Sequence, residues 1–223
     1  MSRIDERPQT KREARAAVRG DRTGSGPTLG DAPRLRHPGA AGAFALLGEV
    51  LLIGLLMSVV SLGVVTLPVA LAAGIRHLRR YVAAEDSRYA FFWHDVRAGL
   101  LPGAAVGAVA VIVSLVLVID IDLARSGFLP GGVLVEAVGW AGLGVVTVGM
   151  LLAASAWHPQ GGWRAAIRAV PAAARADAFG VVYLVATVGF VGVVTWALPP
   201  LFIAAIGCAA LAVVAIPARP RRR

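Results

Sequence analysis

The sequence predicts an all-α protein: a polytopic transmembrane helical bundle of about six spans, with a tight hairpin between the first two. The first observation is composition, since 57% of the 223 residues are hydrophobic and only 16% are charged, against about a quarter charged in soluble domains. The second is the placement of charge. Of the 35 charged residues, 33 lie in five short segments, as expected where an unpaired charge at mid-bilayer is costly.

Residues 1–42 are expected to form a disordered basic tail, and 218–223 a short second one. The first tail has nine basic and five acidic residues, and its second half has too little apolar content to offset the entropy of ordering. A cleaved signal peptide is the competing interpretation of the apolar stretch that follows, because Ala70-Leu71-Ala72 resembles a cleavage site. The long charged leader and the length of the apolar run argue against it.

The first apolar stretch, 43–75, is too long to be a single span. As one helix it would be about 48 Å long, against a hydrocarbon core of about 30 Å. Small and polar residues cluster in its second half, and Thr66 followed by Pro68 is typical of a helix start. We therefore expect one helix over 43–61 and a second over 67–80, whose arginines reach the interface.

The remaining spans follow from the later apolar runs. We expect them at 100–119, 133–156, 179–198 and 201–217. The segment 157–178 places Trp163 and Ile167 on one helical face and Arg164 and Arg168 on another, which indicates an amphipathic interfacial helix. Pro199-Pro200 allows only a hairpin turn between the last two spans.

The orientation follows from the basic residues in each connection. The tail 1–42 has nine, 76–98 has five, 157–178 has three and the C-terminus has four, whereas 120–132 has one. Six spans place every basic segment on one side, so both termini are predicted to be cytoplasmic in the cell membrane. The net charge of +9 then indicates contact with anionic lipid headgroups rather than nucleic acid.

Two surface features are candidates for contacts with other helices or partners. Gly99, Gly103 and Gly107 recur at four-residue spacing, which creates a groove where another helix can approach closely. The aromatic cluster Phe91-Phe92-Trp93 is expected to anchor the chain at the headgroups or to dock a partner.

Glu49 is the candidate functional acid inside the membrane. It lies about 10 Å into the first span along the helix axis, where a carboxyl group could carry a proton or cation. Because no second acidic or basic residue is expected at the same depth, we favour a protonated or interface-reaching glutamate near the cytoplasmic end, which could pair with Arg36 or Arg97. Glu136 is expected to be interfacial and to pair with Arg125.

The motifs of common enzyme classes are missing from the sequence. It has no Walker A loop, H-E-x-x-H, G-x-S-x-G or Rossmann glycine pattern. The four histidines are interpreted as tail or loop residues, with none paired at metal-ligand spacing. We therefore expect no catalytic residue, no metal and no cofactor.

Two segments resemble a known family. The run 64–80 contains Val-Val-Thr-Leu-Pro ahead of an arginine-rich end, and 91–100 reads Phe-Phe-Trp-His-Asp-Val-Arg-Ala-Gly-Leu. Together they resemble the YesL-like family of bacterial membrane proteins, with the resemblance covering roughly 43–217. Where that family often has an Asn and a Trp ahead of the turn, this chain has Gly54 and Met57.

The resemblance implies a compact helical membrane protein with an accessory role in carbohydrate uptake, and sugar ABC transporter components as partners. It carries no catalytic residues. The alternative is a small transporter or channel that acts as a homo-oligomer, which Glu49 and the glycine-rich helices would serve. An intramembrane enzyme ranks last, because it needs two polar catalytic groups at one depth.

Overall fold

The computed structural model describes residues 42–126 and 131–219, and these form seven α-helices and no β-strand. The helices are α1 (Ala43–Val60), α2 (Leu67–Val82), α3 (Tyr89–Arg125), α4 (Gly132–Ala156), α5 (Gly162–Ala176), α6 (Ala178–Ala197) and α7 (Phe202–Ala215). Short 3-10 turns follow α1 and flank α7. The predicted tails 1–42 and 218–223 lie outside the described residues, except for Gly42, Ala218 and Arg219.

Five described helical segments are long and apolar enough to cross a membrane: Ala43–Gly63, Tyr89–Arg125, Gly132–Ala156, Ala178–Ala197 and Pro199–Ala218. The predicted all-α bundle and its multi-pass membrane character are confirmed. The predicted span 67–80 corresponds to α2, which has 16 residues and is about 24 Å long. It is not among the five, so the count of six crossings stays a prediction.

The first apolar stretch divides into two helices where the sequence predicted it. The helix α1 ends at Val60 and α2 begins at Leu67, with a 3-10 turn over Ser61–Gly63 between them. The Thr66 hydroxyl donates to the carbonyl of Val60 and closes the turn. Val64 has a φ of +45°, a backbone conformation that favours glycine and is costly for a β-branched residue.

The short helix α2 is the centre of the bundle. Ten of its 16 residues are buried, among them the unbroken run from Pro68 to Ile75. It contacts α1, α3, α4 and α7. A helix surrounded in this way meets no lipid along most of its length. It therefore does not need large apolar side chains, and it can consist of small residues followed by arginines.

The α1–α2 hairpin packs against only the first part of α3. At the hairpin's open end, Asp95 of α3 contacts Arg76 of α2. At its turn, a Cβ atom on Gly107 would overlap the carbonyl of Val65. These two contacts are about 18 Å apart along α3, and α3 continues for about 27 Å beyond the second one. Its outer half therefore packs against α4, not against the hairpin.

The predicted third span, 100–119, lies within a single helix of 37 residues. The segment 89–98, expected to be part of a polar connection, forms the first turns of α3 instead. The predicted glycine groove lies on the buried face of this helix. Gly99 and Gly103 approach Trp157 and Trp163, as Gly107 approaches the α1–α2 turn.

Close packing of two glycines joins the first and last helices. A Cβ atom on Gly54 of α1 would overlap the carbonyl of Ile203 and lie 3.3 Å from the Cα of Gly207 on α7. Backbones approach this closely only where both helices lack side chains at the contact.

Replacing Gly54 by Val is therefore expected to lower the free energy of unfolding by about 1–3 kcal/mol, because the added methyl groups meet backbone atoms that cannot rotate away. The matched control is Gly48→Val, since a Cβ atom on Gly48 would have no atom of the described residues within 4 Å beyond its own stretch of helix. Tryptophan fluorescence during SDS titration in mixed micelles measures the free energy of unfolding of both variants. Equal stability of the two variants would contradict the packing.

Candidate functional site

Six polar residues meet where the second half of α2 passes between α1 and the start of α3. We call this the ionic cluster, and it consists of Glu49, Arg76, His77, Arg80, Tyr89 and Asp95. The residues come from three helices that are separate in sequence. The cluster therefore exists only once the α1–α2 hairpin has packed against α3.

One half of the cluster joins all three helices through His77. Its imidazole is fully buried, and Nε2 lies 2.6 Å from Oε1 of Glu49. The Tyr89 hydroxyl donates to Oε2 of the same carboxylate at 3.1 Å. The tyrosine ring also stacks on the imidazole, with 5.3 Å between ring centroids and 11° between planes. Glu49 thus has two partners on two different helices.

The other half is a carboxylate shared by two arginines. Oδ2 of Asp95 accepts a hydrogen bond from Nε of Arg76 at 3.0 Å and one from Arg80 at 2.9 Å. Asp95 is only 2% exposed, whereas the two arginine side chains are 23% and 19% exposed. Burial of an ionised carboxylate is tolerated when charged donors compensate for lost water.

The helical period of α2 explains this division. Arg76 and Arg80 are four residues apart and share one face, whereas His77 is rotated by about 100° from Arg76. The arginines therefore reach α3 while the imidazole reaches Glu49 on α1. One helical turn of α2 is sufficient to bind both neighbours.

Aromatic rings and a carbonyl surround the arginines. The Arg76 guanidinium lies 5.7 Å from the Trp157 ring centroid, and Arg80 lies 5.4 Å from that of Phe91. Arg79 donates to the carbonyl of Ser155 on α4 at 3.3 Å. These contacts extend the cluster to the end of α4 and supply cation–π attraction at its partly exposed edge.

The formal charges of the cluster balance. Two carboxylates, Glu49 and Asp95, face the two guanidiniums that bind Asp95, so these groups sum to zero when His77 is neutral. The guanidinium of Arg79, at the edge of the cluster, adds a positive charge. Two of its buried nitrogens, Nδ1 of His77 and Nη1 of Arg80, have no hydrogen-bond partner among the described residues. Chemically, the arrangement can clamp three helices together, and Nδ1 could exchange a proton or bind a water molecule.

The structure corrects the predicted environment of Glu49. Its partners are His77 and Tyr89 rather than Arg97, and Arg36 lies outside the described residues. The expectation that no ionisable residue shares its depth is wrong, as is the interpretation of His77 as a loop residue. The error arose because a contact across 28 residues leaves no periodic signal in the sequence.

The aromatic cluster is divided between the core and the surface. Phe92, predicted as an interfacial anchor or docking residue, is fully buried in the core, so that prediction is wrong for it. Phe91 and Trp93 are 37% and 38% exposed. The physical reason is that 89–98 is helical, so adjacent residues point in different directions. The face of Phe92 also carries Asp95 and packs against the interior.

The burial of Asp95 is predictable from the glycine pattern in the sequence. The glycines at 99, 103 and 107 continue backwards at the same spacing of four to Asp95, and all four residues are buried. A stripe with three small residues that allow close packing predicts that the fourth position on the same face is buried as well. An acid in that position requires a basic partner, which Arg76 and Arg80 offer at helical spacing.

A second ion pair lies at the opposite end of α3. Arg125 binds Glu136 of α4 through Nη2 at 2.6 Å, as the sequence predicted. Trp140 donates to the same carboxylate oxygen at 3.4 Å. Asp120 and Asp122 lie in the last turns of α3. In the described parts of the chain, no group of three His, Cys, Asp or Glu residues could hold a metal ion.

No protein-family model, curated protein or solved structure matches this chain. The resemblance to the YesL-like family therefore rests on the residues of 64–80 and 91–100 alone. The ionic cluster includes residues from both of those segments, namely the arginines of α2 and Asp95.

Replacing Asp95 by Asn is expected to lower the free energy of unfolding by about 3 kcal/mol, because two partly buried guanidiniums lose their carboxylate. The matched control is Asp86→Asn. Asp86 pairs with Arg88 in the exposed α2–α3 loop, where the arginine's hydrogen bond holds the pKa of Asp86 below its ordinary value. That control should leave SDS-titration stability unchanged. Equal effects of both variants would contradict the role of Asp95.

The contact between Glu49 and His77 is expected to give a coupling energy of about 1–3 kcal/mol in a double-mutant cycle. The cycle uses Glu49→Gln, His77→Gln and the double variant, with SDS-titration stability as the measurement. The control cycle pairs Glu49→Gln with Asp86→Asn, whose effects should add. Additivity in the first cycle as well would show that the two side chains do not interact.

Proposed function

We propose that the protein is a non-enzymatic integral membrane protein with an accessory role, in which a rigid helical scaffold presents its lipid-facing surface to another membrane component. The observation that carries this proposal is the use of charge. Four buried or half-buried acids bind a basic residue on another helix or segment: Glu49 with His77, Asp95 with Arg76 and Arg80, Glu136 with Arg125, and Asp177 with Arg219.

This pattern favours a scaffold over an ion path. A carrier needs polar groups at several depths along one cavity, free to exchange ligands. Here each of these ion pairs lies near one end of the bundle and joins neighbouring segments. Charges that are paired within the bundle support rigid packing. The apolar outer surface is then available to bind another membrane component.

We place the protein in the cell membrane with both termini cytoplasmic. The basic residues of 1–42, 76–98 and the C-terminus support this orientation. The ionic cluster supports one part of this topology, namely that α3 starts on the side from which α1 entered, because it brings the first half of α1, the end of α2 and the start of α3 to one level. A hairpin with both ends at one level returns the chain to the side it entered from, whatever depth its turn reaches.

The partner we propose is a membrane component of a sugar ABC transporter, because the residues of 64–80 and 91–100 resemble a family with that association. The exposed rings of Phe91 and Trp93 lie beside the ionic cluster and suit a docking surface. Anionic lipid headgroups are the second partner, through the arginines of the same end.

One observation favours the alternative, a small transporter that acts as an oligomer. His77 is fully buried and hydrogen-bonded to an acid, and its Nδ1 has no partner within the described parts of the chain. A histidine in that setting can take part in proton transfer.

Affinity purification of the tagged full chain from mildly solubilised membranes tests the proposal. We expect co-purification of a transporter membrane subunit, and roughly a fivefold to tenfold loss with Trp93→Ala, because this ring belongs to the proposed docking surface. The matched control is Trp196→Ala, an exposed tryptophan at the end of α6, which should retain the partner. Deletion of the gene should reduce sugar uptake.

Recovery of no transporter component, together with unchanged uptake in the deletion strain, would contradict the accessory role. Reconstituted protein is expected to show no sugar or proton flux. Flux in proteoliposomes that Glu49→Gln abolishes would instead establish the transporter alternative.

A further inference from the structure

A groove opens beside the α1–α2 turn, where the hairpin stops and α3 and α4 continue. Its volume is about 420 Å³. The turn and the start of α2 close one end, and α3 and α4 form the walls over Gly107–Val118 and Val146–Leu151. Leu71 and Leu151 are buried at its base, whereas Leu115 on its rim is exposed. The groove is therefore open towards the surroundings of the bundle.

The lining of the groove is almost entirely hydrocarbon. Among the described side chains that form it, only Ser114 and Thr147 carry a polar group, and the Thr147 hydroxyl already donates to the carbonyl of Leu143. An apolar cavity does not hold ordered water, because water there would find too few hydrogen-bond partners. The occupant must be apolar as well.

The dimensions of the groove match one hydrocarbon chain. From Gly107 to Val118 it runs about 17 Å along α3, which is close to half of the roughly 30 Å hydrocarbon core. A volume of about 420 Å³ is too small for a helical segment of that length with its side chains, since the diameter of such a helix is about 10–12 Å. Methylene groups in contact at about 3.5–4.0 Å do fit.

The position of the groove along α3 identifies the leaflet whose lipids supply the acyl chain. Its closed end, at Gly107, is about 18 Å from Asp95, and its other end, at Val118, is about 3 Å along the axis from Asp120. A chain that enters beside Asp120 and ends under the turn spans one leaflet.

We infer that this groove seats one acyl chain of a membrane phospholipid from the leaflet at the Asp120 end of α3. The terminal methyl group lies against Val64 and Leu67 at the hairpin turn, and the carbons nearer the headgroup lie against Val118. The chain fills the volume that the short hairpin leaves between α3 and α4, so this inference holds whether or not the proposed accessory role is correct.

Photo-cross-linking in vesicles of phosphatidylethanolamine and phosphatidylglycerol tests the inference. Two phospholipid probes carry a diazirine, one at the end of an acyl chain and one close to its carboxyl group. The first is expected to label peptides of the hairpin turn, and the second peptides around Val118. Labelling spread evenly over all lipid-facing helices by both probes would show ordinary annular lipid and overturn the inference.

Filling the groove should remove the label. Ala110 and Ser114 line it four residues apart on one face of α3, so Ala110→Phe with Ser114→Phe is expected to reduce labelling at the turn roughly tenfold, as for loss of a specific site. The matched control is Val109→Phe, which adds the same ring on an exposed, lipid-facing position outside the groove and should keep the label.

Thr147→Phe fills the groove from the α4 wall. It provides a second test in case the α3 variant misfolds. Each variant is checked for a single gel-filtration peak and for wild-type coupling between Glu49 and His77. Undiminished labelling in a folded, filled variant would overturn the inference. So would recovery of a second protein chain, rather than lipid, cross-linked to a photoreactive residue placed at position 110 or 114.

Discussion

The bundle depends on one buried carboxylate. Asp95 is the acid that binds Arg76 and Arg80, and without it α2 would bring two guanidiniums into a contact between helices with no compensating charge. This requirement explains why α3 begins at Tyr89, well before its apolar run. The first turns of α3 are helical because they must present Asp95, and the same turns present Tyr89 to Glu49 and bury Phe92.

The length of α2 follows from the same constraint. Its apolar part ends where Arg76 begins, and its charged part must stay level with Asp95 and Glu49. The turn between α1 and α2 therefore lies only about 18 Å further along α3, against Gly107, and the outer half of α3 has α4 as its neighbour. The groove between the turn, α3 and α4 is thus a consequence of where the ionic cluster fixes α2.

Local patterns in the sequence predicted the helices and one ion pair, but not the contacts of the ionic cluster. The division of 43–75 followed from Thr66 and Pro68, and the ion pair of Arg125 with Glu136 followed from nearness in sequence across one turn. The contact of Glu49 with His77 joins residues 28 positions apart, and it depends on the rotation of both helices about their axes. Rotation is set by tertiary packing, which is why Phe92 was expected at the surface and is buried.

Charge balance in the cluster bears on its role. Glu49 and Asp95 match Arg76 and Arg80 in number, so an added proton on His77 would leave one uncompensated positive charge among these groups. A proton carrier must accept such a change in every cycle and relieve it by movement. In this bundle the same residues hold α1, α2 and α3 together, so movement that relieved the charge would also separate the helices. A cluster that both carried protons and held the helices together would have to open the hairpin in every cycle. A scaffold only has to keep the hairpin closed, and the carboxylate of Asp95, shared by two arginines, does this.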